Sequence, residues 1–67
     1  MTQAQMITSL RAAFGNVERM DPDGPTCRRL CALLDRADND ALKAVREANI
    51  NFVSALAFNR MIRRGIA

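Results

Sequence analysis

The sequence predicts a small all-α protein, a three-helix bundle in which two short helices pack on one long C-terminal helix. Three observations support this fold. Apolar residues recur at helical spacing in three segments, both prolines fall in one cluster at 21–25, and no segment alternates as a β-strand does. The chain has 67 residues, 49% of them hydrophobic, which is enough for one small core. We therefore expect a single helical domain over residues 1–67.

The first helix is predicted over residues 2–14. Thr2 and Gln5 have the spacing of a capping box, in which each side chain accepts a hydrogen bond from a free backbone amide of the other. Gly15 is the expected end, because glycine tolerates the left-handed conformation of many helix C-caps. The stripe that faces the core consists of Met6, Ile7, Leu10, Ala13 and Phe14.

The second helix is predicted over residues 25–36. The cluster at 21–25 holds two prolines and a glycine, which interrupts one helix and begins the next. Asp23 or Gly24 is the expected N-cap, with Pro25 at the first helical position. One buried stripe follows at helical spacing, formed by Cys27, Leu30, Cys31 and Leu34.

The third helix is predicted as the long one, over residues 39–64, with Asp38 as its N-cap and Gly65 as its C-terminal stop. The weak helix formers at 49–51 make a kink there the alternative. Two apolar faces run along this helix. The first contains Leu42, Val45, Phe52, Val53 and Leu56, and the second contains Ile50, Ala57, Phe58, Met61 and Ile62. Either the two short helices cover both faces, or the second face binds another molecule.

Few residues of this chain could act in catalysis. The chain has no histidine, so that the common nucleophile pairs and the commonest zinc ligand are missing. Cys27 and Cys31 coincide with the apolar stripe, and we interpret them as small buried side chains. We expect no enzyme activity, no metal, no cofactor and no small-molecule substrate. With neither a signal peptide nor an apolar segment of membrane length, a cytoplasmic (intracellular) location without membrane contact is expected.

The leading functional hypothesis is a small non-enzymatic helical interaction protein. Such a regulator, adaptor or inhibitor would bind a larger protein, or associate with itself, through the second face of the C-terminal helix. Phe52 is the predicted anchor of the core and Phe58 that of the interface, with arginines at its rim, since interfaces are enriched in both residue types. The predicted partner-binding residues are Phe58, Arg60, Met61, Ile62, Arg63 and Arg64.

The alternative hypothesis is a small basic nucleic-acid-binding protein. The formal net charge is +3, and every basic residue except Lys43 is an arginine. Arginines would contact backbone phosphates with little sequence preference, and the lack of Trp and Tyr leaves little to stack on bases. The candidates are Arg28, Arg29, Arg60, Arg63 and Arg64.

Overall fold

The computed structural model describes residues 2–67, and over this range the chain is all-α, as predicted. It contains four helices: α1 Gln3–Phe14, α2 Pro25–Arg36, α3 Asn39–Glu47 and α4 Val53–Arg64. The predicted three-helix bundle is therefore wrong in its number of helices. The long C-terminal helix is divided into α3 and α4, at the position where a kink was the alternative.

Local sequence signals account for most helix ends. The capping box of α1 is confirmed: the Gln5 amide donates to Thr2 Oγ1 at 3.1 Å, and the Thr2 amide donates to Gln5 Oε1 at 2.9 Å. Gly24 is the N-cap of α2. The carboxylate of Asp38 caps α3 by accepting from the Ala41 amide at 2.8 Å, and Gly65 ends α4 in the left-handed conformation, with φ of 73°.

Gly15 ends α1 for a different reason from the one predicted. Its φ of −58° is right-handed, so the expected left-handed cap is wrong. A Cβ atom at this position would lie 2.5 Å from the carbonyl oxygen of Arg11. The position thus favours glycine because space is short, and the backbone itself needs no glycine.

The break between α3 and α4 is formed by two residues with positive φ. Asn49 has φ of 53°, which asparagine tolerates better than most residues. Phe52 has φ of 63° and ψ of −42°, and the Val53 amide donates to the Asn51 carbonyl at 2.7 Å across it. This three-residue γ-turn with positive φ is rare and strained.

Contacts from both sides hold the break in place. The Ser54 hydroxyl accepts from the Ile50 amide at 2.8 Å and donates to the Val45 carbonyl at 2.7 Å. From α1, the Arg11 guanidinium donates to the Ala48 carbonyl at 3.1 Å. The side-chain amide of Asn51 donates to the Gly15 carbonyl at 3.2 Å. Side chains of Arg11 and Ser54 therefore form the hydrogen bonds with backbone groups that a continuous helix would have formed within itself.

The break also changes which residues form the core. α3 and α4 pack closely as a helical hairpin, α1 packs on α3, and α2 packs on α4. Because α4 turns back on α3, members of both predicted faces now point to the same core, and the prediction of two separate faces is wrong. The buried residues of this core are Leu10, Phe14, Leu30, Leu34, Leu42, Val45, Ile50, Val53, Ala57 and Met61. Within residues 2–67, no helix combines the length and the apolar character that crossing a membrane requires.

Candidate partner-binding surface

The outward side of α4 is unusually apolar for a surface helix. We define the α4 face as Phe52 together with six residues on the outward side of α4: Ala55, Leu56, Phe58, Asn59, Ile62 and Arg63. Of these, Leu56 also packs against the core. These positions recur at intervals of three and four residues and so form one surface strip. Asn59 and Arg63 are its polar members, and the strip contains no acidic residue.

Phe52 stands at the N-terminal end of this face, and it is 38% exposed. The prediction that Phe52 anchors the core is therefore wrong: the γ-turn directs its ring to the surface. The ring borders a shallow cleft of about 200 Å³, whose other walls are Met20, Pro22, Cys27, Ala55 and Leu56. The walls are almost entirely apolar, so the cleft suits an apolar side chain rather than a polar ligand.

Three of the six predicted partner-binding residues lie on the α4 face, and the other three do not. Ile62 is 54% exposed, Arg63 is exposed and forms no ion pair within residues 2–67, and Phe58 is half-buried. The guanidinium carbon of Arg46 lies 4.3 Å from the centroid of the Phe58 ring, in a cation–π contact. Met61 is only 3% exposed and belongs to the core, because it lies on the opposite side of α4.

Arg60 and Arg64 connect α4 to the end of α2. Arg60 forms an ion pair with Asp35 at 3.0 Å, and its own side chain is only 11% exposed. The guanidinium of Arg64 donates to the carbonyl oxygens of Ala37 and Asp35 at 2.7 and 3.1 Å, and to Asn39 Oδ1 at 3.1 Å. These contacts place positive charge at the negative end of the α2 dipole. Both arginines thus have a structural role that their sequence positions did not indicate.

The five arginines predicted to bind nucleic acid do not form one patch. Arg28 and Arg29 are exposed in the first half of α2 and have no ion-pair partner within residues 2–67. Arg64 meets α2 at its other end, at Ala37, which is nine residues, or roughly 13 Å of helix, beyond Arg28. Arg28 and Arg29 therefore lie at one end of α2, and Arg64 lies at the other.

The two cysteines are free thiols, Cys27 buried and Cys31 partly buried. Burial, and then the hydrogen bond with Cys31, raise the pKa of the Cys27 thiol above its ordinary value. A raised pKa disfavours the reactive thiolate. Within residues 2–67, no three metal-binding side chains lie close enough together to hold an ion.

The sequence interpretation missed Leu33, which is 41% exposed. This leucine lies outside the apolar stripe of α2. An apolar residue off the stripe of an amphipathic helix is the sequence signal that identifies such a position.

Comparison with protein-family models, with curated proteins and with solved structures finds no significant match to this chain. The functional argument therefore rests on the surfaces described above.

Proposed function

We propose that this protein is a non-enzymatic helical interaction protein and that its α4 face binds a second copy of the chain. The observation that supports the proposal best is the backbone of Phe52. A bulky residue at positive φ costs on the order of 1–3 kcal/mol and persists only where other contacts enforce it. Such strain is typical of functional positions.

Burial of part of the Phe52 ring stabilises the fold by an amount similar to the strain, so that folding gains little net from phenylalanine at this position. A glycine would adopt φ of 63° without the Cβ penalty, and the core is filled by other residues, since Phe52 remains 38% exposed. What phenylalanine adds is a large apolar surface beside the cleft at one end of the α4 face. This is the chemistry of an interface anchor.

The distribution of charge on the α4 face favours a second copy over a charged partner. Arg63, at the C-terminal end, is the face's one charge. In an antiparallel pair of α4 helices centred on residue 57, Phe52 faces Ile62 of the second copy, and Ala55 faces Asn59. The two Arg63 residues are then about 18 Å apart along the helix axis, which exceeds the screening length of about 8 Å at physiological salt. Such a two-fold arrangement is the commonest in homo-oligomers.

Sedimentation velocity over a concentration series tests this function. We expect a reversible dimer with a dissociation constant on the order of 0.1–1 mM, because the face is smaller than a standard interface. Ile62→Lys should abolish the dimer, whereas Leu33→Lys, the same change at an exposed position outside the face, should retain it. Salt should strengthen the dimer, since each copy carries a net charge of +3. A wild-type protein that stays monomeric at about 1 mM, ten times the tighter end of that range, would refute the proposal.

Nucleic-acid binding is the second candidate, and the free cations Arg28 and Arg29 favour it. Fluorescence anisotropy with mixed-sequence DNA and RNA at about 50 and 200 mM salt tests it. Binding through phosphates should fall steeply between the two salt concentrations and should be lost in Arg28→Glu/Arg29→Glu. Salt therefore acts in opposite directions on the two candidates. An absence of binding at the lower salt concentration would eliminate this second function.

A further inference from the structure

A groove runs between α1 and α2, on a surface that shares no residue with the α4 face. The groove forms because α1 packs on α3 and α2 packs on α4, so that the backbones of α1 and α2 make few close approaches to each other. Side chains from both helices fill the bottom of the gap, among them Leu10 and Leu30, which are 5% and 3% exposed. We call this surface the α1–α2 groove.

The groove has two stretches that meet at Leu33. The first, about 220 Å³, is lined by Leu10, Leu30 and Leu33, with Arg29 on its α2 side. The second, about 430 Å³, continues past Met6 to Arg36. Leu33 lines both stretches and is 41% exposed. An apolar strip thus follows the length of the groove, with an exposed leucine near its middle.

The rim of the groove is positively charged. Arg29 and Arg36 are exposed and have no ion-pair partner within residues 2–67. The acidic residue that lines these stretches, Asp38, uses its carboxylate to cap α3. The α1 rim is formed by the uncharged Thr2 and Gln3. The groove therefore presents two cations against one carboxylate, which is already engaged as a helix cap, and this excess of positive charge favours an acidic partner.

The spacing of the arginines matches the repeat of a helix. Arg29 and Arg36 are seven residues apart, two turns or about 10.5 Å along α2, and Leu33 lies between them on the same side. α2 has 12 residues, so that the groove is about 18 Å long. We propose that the α1–α2 groove binds an acidic amphipathic helix of a partner protein. Its apolar residues would pack on Leu33, and carboxylates two turns apart would pair with Arg29 and Arg36.

Binding of an amphipathic helix requires Leu33 as much as it requires Arg29 and Arg36. Helices commonly dock in grooves through apolar residues at intervals of three and four, with charges at the rim that select the partner. A nucleic acid would use the same arginines for its phosphates but would have little use for an apolar floor. Substitution of Leu33 therefore separates the two classes of ligand.

Fluorescence anisotropy with a designed helical peptide tests the proposal on the full chain. The probe is a labelled, end-capped peptide of about 14 residues, four turns, with leucines along one side and glutamates two turns apart beside them. Its twin carries lysines in place of the glutamates. We expect the acidic peptide to bind at micromolar concentration and at least tenfold more tightly than its twin. Arg29→Glu/Arg36→Glu should reverse this preference, and Leu33→Asp should weaken binding about tenfold.

The control is Arg63→Glu, which makes the same type of substitution at one position on the α4 face and should leave peptide binding unchanged. All substituted positions are exposed, and circular dichroism checks that each variant remains folded. Equal binding of the two peptides, no binding of the acidic one, or full affinity in folded Leu33→Asp would overturn the proposal. DNA could also displace the peptide in a way that depends on the two arginines but is unchanged in Leu33→Asp. That result would assign the groove to nucleic acid and would overturn the proposal as well. Loss of dimerisation in Ile62→Lys leaves the peptide result unaffected, so the two proposals fail separately.

Discussion

The strained turn at Phe52 predicts that glycine is more stable than alanine at this position. Both substitutions remove the phenyl ring, of which about six-tenths is buried, since the residue is 38% exposed. At roughly 200 Å² for an aromatic side chain and about 25 cal/mol per Å², each variant loses about 3 kcal/mol of apolar burial. Only alanine retains the penalty of positive φ. Phe52→Gly should therefore be more stable than Phe52→Ala by about 1–3 kcal/mol.

Urea denaturation followed by circular dichroism measures this difference. A domain of this size has a total stability of roughly 3–10 kcal/mol, so a stabilising osmolyte should be present in equal amount for both variants. The control is Ala12→Gly, at an exposed position inside α1, where glycine should cost about 0.5–1 kcal/mol. If alanine at position 52 were as stable as glycine or more so, the turn would not be strained. The argument that phenylalanine is kept there for binding would then lose its basis.

Three further predictions concern the contacts that hold the helices together. Arg64→Ala should lower the free energy of unfolding by about 1 kcal/mol, because the carbonyl groups at the end of α2 lose their hydrogen-bond donor. Arg63→Ala should change it by less than about 0.5 kcal/mol. Urea denaturation of the two variants measures the difference. Ser54→Ala should cost about 1–3 kcal/mol and increase hydrogen exchange at the Ile50 amide, which loses its acceptor. The pKa of Cys27 is raised in the fold above its ordinary value of 9.0, so the unfolded chain releases the thiol proton first. The contribution of Cys27 to stability should thus be constant below about pH 9 and fall above it. Urea titrations of reduced protein from neutral pH to above about pH 9 should therefore show a weaker fall in Cys27→Ala.

Helix ends were predictable where the signal is local. The capping box of Thr2 and Gln5, the N-cap Asp38 and the C-terminal Gly65 all act on backbone groups within a few residues of themselves. Their effect does not depend on how the helices pack, so these helix ends can be identified from the sequence alone. The bounds of α2, whose start is fixed by Pro25, follow for the same reason.

The break after α3 was not predictable from local signals alone. Weak helix formers at 49–51 indicate a position where a helix can bend, but no proline requires it to stop there. The stop depends on Arg11 at the Ala48 carbonyl and on Asn51 at the Gly15 carbonyl, two contacts that span more than 30 residues of sequence. The spacing of residues along the sequence does not show which distant carbonyl groups Arg11 and Asn51 will reach.

The candidate surface was predictable only in part, because the break reorients α4 and because the predicted apolar faces were too broad. The prediction placed Met61 and Ile62 on one face, although consecutive residues of any α-helix point about 100° apart. In the folded chain, Met61 points into the core and Ile62 points outward, at 3% and 54% exposure. Phe52 changes in the opposite sense, from predicted core to surface. The rim arginine Arg60 could be found in the sequence, but its partner Asp35 lies on another helix.

Isotope-filtered NOE spectroscopy is the most direct test of the proposed antiparallel pairing of two α4 faces. A sample that mixes ¹³C-labelled and unlabelled protein, at a concentration where the dimer is populated, reports only contacts between copies. We predict NOEs between the Ile62 methyl groups of one copy and the Phe52 ring of the other, as the antiparallel arrangement requires. A dimer that shows no NOE between these two residues, or that shows its intermolecular NOEs at Leu33 instead, would refute the pairing of the α4 faces.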